Sequence, residues 1–340
     1  MSSNKKRIIK RKILITGASG FIGSFTVEEA LKNGFDVYAG IRKSSDLSYL
    51  KDERINLFEI DLSDKEKLKR DIIAVGGFDF VIHIAGITKT CKKGNFDYVN
   101  YKLSKNLIDA LIESKLIPLK YIQISSLAAY GPGNPTQLIP IQDSDTPNPI
   151  SDYGKSKLKL ENYLKSLEDF PYLIFRPTGV YGPRDKDFYV MYKSINKSIE
   201  TYIGTKNQYL TFLYVKDLVY LLIDVLNSDF IQKSYFATDL ESYTAKELNK
   251  TIKKALNKKT VSIVFPKFFV KILAWMSEKS SCLFFGKNAT LNIDKYREIS
   301  QKNWLCDSFD LVTDFDFKPR YNLEEGIFET IAWYKKHNKL

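Results

Sequence analysis

Short apolar runs recur through the first half of the chain, each giving way to small or polar residues and then to a helical pattern. Ile13, Leu14 and Ile15 have the length of a buried strand. Phe21 to Leu31 then reads as a helix, with Phe21, Phe25, Ala30 and Leu31 available to an inner face. Further strands are predicted at Asp36 to Ile41, Ile55 to Ile60, Phe78 to Ile84, Leu119 to Ile124 and Tyr172 to Phe175. Between them fall helices from about Asp64, from Phe96 to Ser114 and from Tyr153 to Leu167, with a loop rich in Pro, Asn and Asp from Gly131 to Ser151. Strands alternating with helices imply an α/β protein with a doubly wound parallel sheet. From about Thr178 the alternation weakens. A strand at Leu210 to Val215 and helices at Lys216 to Leu226, Thr244 to Leu256 and Leu323 to Lys335 suggest a smaller C-terminal α/β lobe. The expected division is a basic extension over 1–11, a large lobe over 12–177 and a substrate lobe over 178–340, with no linker between the lobes.

The turn after the first strand carries glycines at 17, 20 and 23. A strand, a glycine turn and a helix in this order build a phosphate site. Gly17 permits the tight turn, Gly20 lets backbone approach a pyrophosphate, and Gly23 lets the helix lie close to the strand. In a doubly wound sheet the ligand lies beyond the carboxyl ends of the strands. Arg42, Asp61, Ala85-Gly86, Ser126 and Arg176 all fall at such ends.

Composition adds exclusions. Apolar residues make up 44% of 340, as in an ordinary globular protein. Cys91, Cys282 and Cys306 are odd in number and scattered, which fits a reducing cytosol rather than a disulfide framework. With only His83 and His337, a histidine-rich metal site is not expected. Ile8-Ile9 is too short for the apolar core of a signal peptide. The net charge is +12, and six of the first twelve residues are Lys or Arg. This is read as a lysine-rich solvated surface, without a nucleic-acid partner.

Tyr153-Gly-Lys-Ser-Lys157 places a phenol and an ammonium four residues apart, on one face of a helix. A phenol of pKa near 10 is a poor acid or base at neutral pH, and a neighbouring ammonium is expected to lower it. The hydroxyl of Ser126 is placed to hold a substrate oxygen beside Tyr153.

Together these stretches resemble the extended short-chain dehydrogenase/reductase superfamily, the NAD-dependent epimerase/dehydratase type, and most closely its 3β-hydroxysteroid dehydrogenase-like branch. The matching segments are Thr16 to Gly23, Asp61-Leu62, His83 to Gly86, Asn100, Ser126 before Tyr130-Gly131, Tyr153 with Lys157, and Arg176 to Pro183. The resemblance implies a Rossmann-type fold and NAD(P)-dependent oxidoreductase chemistry, with Ser126, Tyr153 and Lys157 catalytic. It implies cofactor contacts at Gly17, Ser19, Gly20, Phe21, Ile22, Gly23, Arg42, Asp61, Leu62, Ala85, Gly86, Asn100, Ser125, Tyr153, Lys157 and Pro177. Ser125 remains an alternative catalytic hydroxyl, and the spacing to Tyr130 favours Ser126. A homodimer through the helices 96–114 and 153–167 is also implied.

An NAD enzyme usually ends its second strand with an acidic residue. Arg42 followed by Lys43 points instead to NADP, with NAD as the alternative. Gly179 stands where nucleotide-sugar members commonly place an asparagine, and Leu127-Ala128 replace the acids that follow the catalytic residue in sugar dehydratases. Phe268, Phe269, Ile272, Trp275 and Met276 recur at helical spacing. The pattern admits a lipid pocket, a peripheral membrane contact or a buried small-lobe helix, while Lys267, Lys271, Glu278 and Lys279 argue against a membrane span. The expected reaction is hydride transfer to or from a ketone or secondary alcohol of an apolar, steroid-like or long-chain substrate. The alternative is a nucleotide-sugar epimerase or reductase.

Overall fold

Alternate residues of the first strand serve opposite faces of one sheet. Ile13 and Ile15 join one buried apolar cluster and Leu14 joins another, as the two-residue period of a strand requires. The computed structural model describes residues 10–90, 92, 94–204, 207–280 and 291–340. Most of the basic extension, Cys91 and Cys282 lie outside them.

The large lobe begins with β1 (Lys12–Thr16), α1 (Phe21–Lys32), β2 (Asp36–Ile41), β3 (Asn56–Glu59), α2 (Lys65–Val75) and β4 (Phe80–His83). After a π-helical stretch, Asp97–Lys102, come α3 (Leu103–Glu113), β5 (Lys120–Ile124), α4 (Asp152–Lys165) and β6 (Tyr172–Pro177). The remainder comprises β7 (Gly179–Tyr181), α5 (Phe188–Asn196), β8 (Ile199–Ile203), β9 (Tyr209–Leu210), β10 (Phe212–Tyr214), α6 (Val215–Asp224) and β11 (Lys233–Ala237). It ends with β12 (Tyr243–Thr244), α7 (Ala245–Leu256), β13 (Val261–Phe265), α8 (Lys267–Ser280), α9 (Ile293–Ile299), β14 (Asn303–Trp304), α10 (Phe309–Phe315) and α11 (Leu323–Lys336).

The main sheet has seven parallel strands in the order β11-β6-β5-β4-β1-β2-β3. The chain reverses direction between β1 and β4, and the crevice above that point is where a doubly wound sheet takes its ligand. The predicted strands are all present. The seventh, β11, was not predicted, and it pairs with β6. The sheet therefore draws a strand from beyond residue 177. The predicted single strand at Leu210 to Val215 is divided: β9 pairs with β12 and β14, and β10 pairs with β7.

One face of the sheet is covered by Val27, Ala30 and Leu31 of α1 with Leu218, Leu221 and Leu222 of α6. The other is covered by Leu68 and Ile72 of α2, Leu107 and Leu111 of α3, and Leu160 and Leu164 of α4. The small lobe has its own core, in which Tyr181, Tyr192, Phe212 and Tyr214 meet Leu248, Ile252, Ile327 and Ile331.

Candidate active site

The glycine turn is built as its spacing predicts. Gly17 has φ +69°, a left-handed conformation that favours glycine, and a Cβ there would sit 2.8 Å from the Ala85 amide nitrogen. A Cβ on Gly23 would lie 2.1 Å from the Gly17 carbonyl oxygen, so α1 reaches this close only with glycine at 23. Gly20 is exposed and caps α1 in extended conformation, with no side-chain cap and no acid in the first turn. The first N–H groups of α1, at Phe21 and Ile22, thus start a helix whose positive end suits an anion. Ser19 is half-buried in the same turn, and Ile22 packs into the core. These features fit a dinucleotide pyrophosphate.

Along the sheet edge, Arg42 follows β2 and is exposed, without an ion pair among the described residues. Asp46, the first acid after it, accepts from the Ser48 amide at 2.9 Å. Asp61 follows β3, is exposed, and accepts from the Ser63 amide and hydroxyl, which hold its carboxyl below the usual range. The Leu62 carbonyl accepts from Asn106 Nδ2 at 2.9 Å.

Beyond β4, Ala85 and Gly86 lie between the glycine turn and Lys157 of α4. A Cβ on Gly86 would lie 3.0 Å from Asn100 Oδ1 and 3.6 Å from Lys157 Nζ. Asn100 is buried and braces this loop from below. Its Oδ1 accepts from Ile87 N at 2.8 Å, and its Nδ2 donates to Ile87 O at 3.0 Å and Ser156 Oγ at 3.1 Å. His83, also buried, joins Thr16 Oγ1 at 2.7 Å to Ser104 Oγ at 2.8 Å. Burial pushes its imidazole down to about 3, so it is neutral and ties β1 to α3.

The two serines divide their roles. The Ser125 hydroxyl donates to the buried Glu161 carboxylate. Ser126 Oγ accepts from the Ala128 amide at 3.1 Å and lies near the Tyr153 phenol, whose upward shift it opposes. Of the two candidates, Ser126 is therefore the one facing Tyr153. Arg176 is fully buried, pairs with Glu161 and Asp143, and lies over the rings of Tyr130 and Phe236. Its place at a strand end suggested a ligand contact, and the structure gives it to the core instead. Pro177 is buried at the end of β6.

Tyr153 is half-buried at the start of α4 and Lys157 is buried one turn later. Lys157 Nζ donates to the Ile124 carbonyl at 2.8 Å and lies 5.9 Å from the centre of the Tyr153 ring. Burial lowers the ammonium to about 8, opposed by Glu161. The phenol is raised, not lowered. Burial is the main cause, the Ser126 hydroxyl opposes it, and the Glu298 and Asp187 carboxylates add to it. The expected depression of Tyr153 by Lys157 is not found: Lys157 is not among the groups that shift the phenol, and desolvation dominates.

Residues 13–235 match the NAD dependent epimerase/dehydratase family. The chain belongs to that family. Its members of known activity are NAD(P)-dependent enzymes of the extended short-chain dehydrogenase/reductase type. The chain is 24% identical to the decarboxylating sterol-4-alpha-carboxylate 3-dehydrogenase of Dictyostelium discoideum, over 84% of this chain and 94% of that one. It is 22% identical to a ceramide reductase of Caulobacter vibrioides, over 95% and 94%. Its fold is similar to that of UDP-glucose 4-epimerase from Thermus thermophilus in complex with NAD, with TM-score 0.77 and 20% identity over 95% of this chain and 99% of that one.

In this family member, several residues that shape the site escaped the sequence reading. Asp294, on α9 of the small lobe, accepts from the backbone amides of Asp152 at 2.6 Å and Tyr153 at 3.2 Å. Ser151 caps the Gly154 amide at 3.0 Å and donates to Glu298 at 2.7 Å. Lys89, in the loop beyond Gly86, pairs with Asp187. Only Ser151 had a local signal, as a serine just before a helix. Asp294 has none, because its partners lie far away in sequence.

Proposed function

We propose that the chain transfers hydride between a nicotinamide cofactor and a ketone or secondary alcohol carbon of an apolar, lipid-like substrate. The observation that carries the chemistry is the Lys157 ammonium one turn from Tyr153 on α4, 5.9 Å from the centre of its ring, with the Ser126 hydroxyl near the phenol. When bound, the nicotinamide supplies or accepts the hydride. In reduction, the Ser126 hydroxyl donates to the substrate carbonyl oxygen and orients it. Tyr153 gives its proton to that oxygen as carbon receives hydride. The phenol carries its proton at neutral pH, but burial makes it a weaker acid than a free phenol, so the transfer depends on the positive charge beside the phenolate. Lys157, charged below about pH 8, binds ribose hydroxyls and stabilises the phenolate left behind.

NADP is the cofactor best supported, because Arg42 offers an exposed, unpaired guanidinium where a 2′-phosphate would lie. The apolar substrate class is supported in part by the small lobe's arginines, each of which has a partner. Arg184 bonds Ser24 and Glu28, Arg297 pairs with Asp294, and Arg320 pairs with Asp224 and lies over Tyr220. Only Arg184 is held by short bonds; Arg297 and Arg320 make long pairs at the surface, so a sugar-nucleotide diphosphate stays the alternative ligand.

The test is NADPH oxidation with a chain-length series of 3-keto lipids, run beside UDP- and GDP-sugars. KM is expected to fall as the apolar part lengthens, since each buried methylene contributes roughly 0.8 kcal/mol. Tyr153→Phe should lower turnover by roughly 10²–10⁴-fold with cofactor affinity kept. Arg42→Ala should cost about 1.5–3 kcal/mol of NADPH affinity and little for NADH. Activity confined to nucleotide-sugars overturns the lipid class, and equal losses for both cofactors overturn NADP.

A further inference from the structure

The helix α8 is almost unpacked. Only Val270 and Ala274 are buried, while Phe268 is 68% and Trp275 55% exposed. Phe269, Ile272, Leu273 and Met276 are exposed as well. At about 100° per residue, Phe268, Ile272, Trp275 and Met276 share the side opposite Val270 and Ala274. The preceding strand continues the surface with exposed Val261, Ile263 and Val264. An ordinary soluble surface scatters such residues singly and does not gather them on one helix and its neighbouring strand.

The rim of this patch is basic. Lys258, Lys259, Lys267, Lys271 and Lys279 are exposed and have no ion pair among the described residues. Lys250, Lys253 and Lys254 line a depression together with Lys258 and Lys259. Of these, Lys253 pairs with Glu200 and Lys254 with Glu324. An apolar helix face flanked by unpaired lysines is the composition that lies in a membrane interface with its charges against anionic headgroups. Among the described residues no helix is long and apolar enough to cross a membrane.

We infer that α8 and β13 form a monotopic docking surface for a bilayer carrying anionic lipid. The apolar side chains enter the headgroup boundary, and the lysines stay at headgroup level. The surface is anchored rather than floating. β13 pairs with β8 along its whole length, and Glu278 Oε2 accepts the Ile293 amide at 3.0 Å, joining α8 to α9. Asp294 of α9 holds the amide of Tyr153. One short helix therefore separates the docking surface from the site. Docking does not depend on the substrate class, so a chain that binds vesicles yet acts on nucleotide-sugars keeps this inference and loses only the lipid reading.

The experiment is flotation of the full chain with vesicles of phosphatidylcholine alone and with added phosphatidylglycerol, at low and high salt. A blue shift of tryptophan fluorescence, lost in Trp275→Ser, serves as the second readout. The expected result is binding to the anionic vesicles, weakened by salt. Lys258→Glu with Lys259→Glu should weaken it by about tenfold or more, because two positive charges near the surface become negative. Phe268→Ser with Met276→Ser should abolish it, with the melting temperature kept because both side chains are exposed. Failure to float with either vesicle overturns the inference, as does binding indifferent to both pairs of substitutions. A concentration-dependent dimer in size-exclusion light scattering that Trp275→Ser abolishes overturns it too, since a second copy would then cover the patch.

Discussion

Lys157 holds its charge where charge is costly. Its ammonium is buried and bonded to one backbone carbonyl, and burial brings it down to about 8. A lysine lowered in this way is charged below pH 8 and neutral above it. The charged form is the one that donates to ribose hydroxyls, so cofactor affinity should be flat below about pH 7.5. It should then fall as pH rises through 8, by at most about tenfold per unit, the limit for one linked proton. Fluorescence titration with NADPH between pH 6.5 and 9.5 would measure it. Lys157→Arg, which keeps its proton throughout, should flatten the curve even if its overall affinity is lower. A wild-type affinity unchanged to pH 9.5 would remove Lys157 from the binding equilibrium. Tyr153 follows the opposite logic, because its raised phenol keeps the proton over the same range.

At the scale of elements, the site depends on how closely α4 approaches the turn after β5. A Cβ on Gly154 would lie 2.1 Å from the Ala128 carbonyl oxygen, and backbone cannot swing aside. Gly154→Ala would gain about 1 kcal/mol in helix propensity. The overlap should cost about 1–3 kcal/mol and move Tyr153 away from Ser126. A displacement near 1 Å can cost roughly 10²-fold in rate. The expected outcome is a reduced kcat with little change in NADPH affinity, and a melting temperature no higher than wild type. A more stable enzyme with normal kcat would show that the two elements have room. Constraints of this kind decide what the sequence reveals. The turn from Thr16 to Gly23 was legible because its contacts are local, Gly23 meeting Gly17 itself. Tyr153 and Lys157 were legible because helical spacing alone puts them together. Spacing to Tyr130 favoured Ser126 over Ser125, but the physical reason, the bond from Ser125 to Glu161, lies 36 residues further on and was not legible. Arg176 was misleading because Asp143 and Glu161, which neutralise it, come from a loop and a helix. The strand β11, Lys-Ser-Tyr-Phe-Ala, is a weak pattern by itself and becomes a strand beside β6.

Across the whole molecule, the small lobe helps to build the catalytic helix. The first amides of a helix have no intrahelical partner, and a carboxylate at that end is favourable. At α4 the carboxylate comes from α9, where Asp294 takes the amides of Asp152 and Tyr153. Burial raises this carboxyl, the Asp152 carboxylate adds to the rise, and those two amides and Arg297 oppose it without reversing it. Glu298 of the same helix accepts from Ser151, the residue that caps α4. The orientation of Tyr153 is thus set jointly by β5, α4 and α9, whereas the glycine turn is set within the large lobe alone. Loss of the cap should therefore separate two functions. Asp294→Ala is expected to cost about 0.5–2 kcal/mol of stability, the usual worth of a helix cap. It should lower kcat more than it weakens NADPH binding, because the glycine turn from Gly17 to Gly23, where the cofactor is proposed to bind, is built without α9. The two amides use different oxygens of Asp294, so Asp294→Asn keeps one acceptor, sets its NH2 against the other amide, and should recover only part of the turnover. Thermal melts, NADPH titration and single-turnover rates on the same three proteins would decide it. If Asp294→Ala loses cofactor affinity and turnover together, or if Asn restores turnover in full although it has lost one of the two acceptors, the small lobe acts on the fold in general and not on the placement of Tyr153.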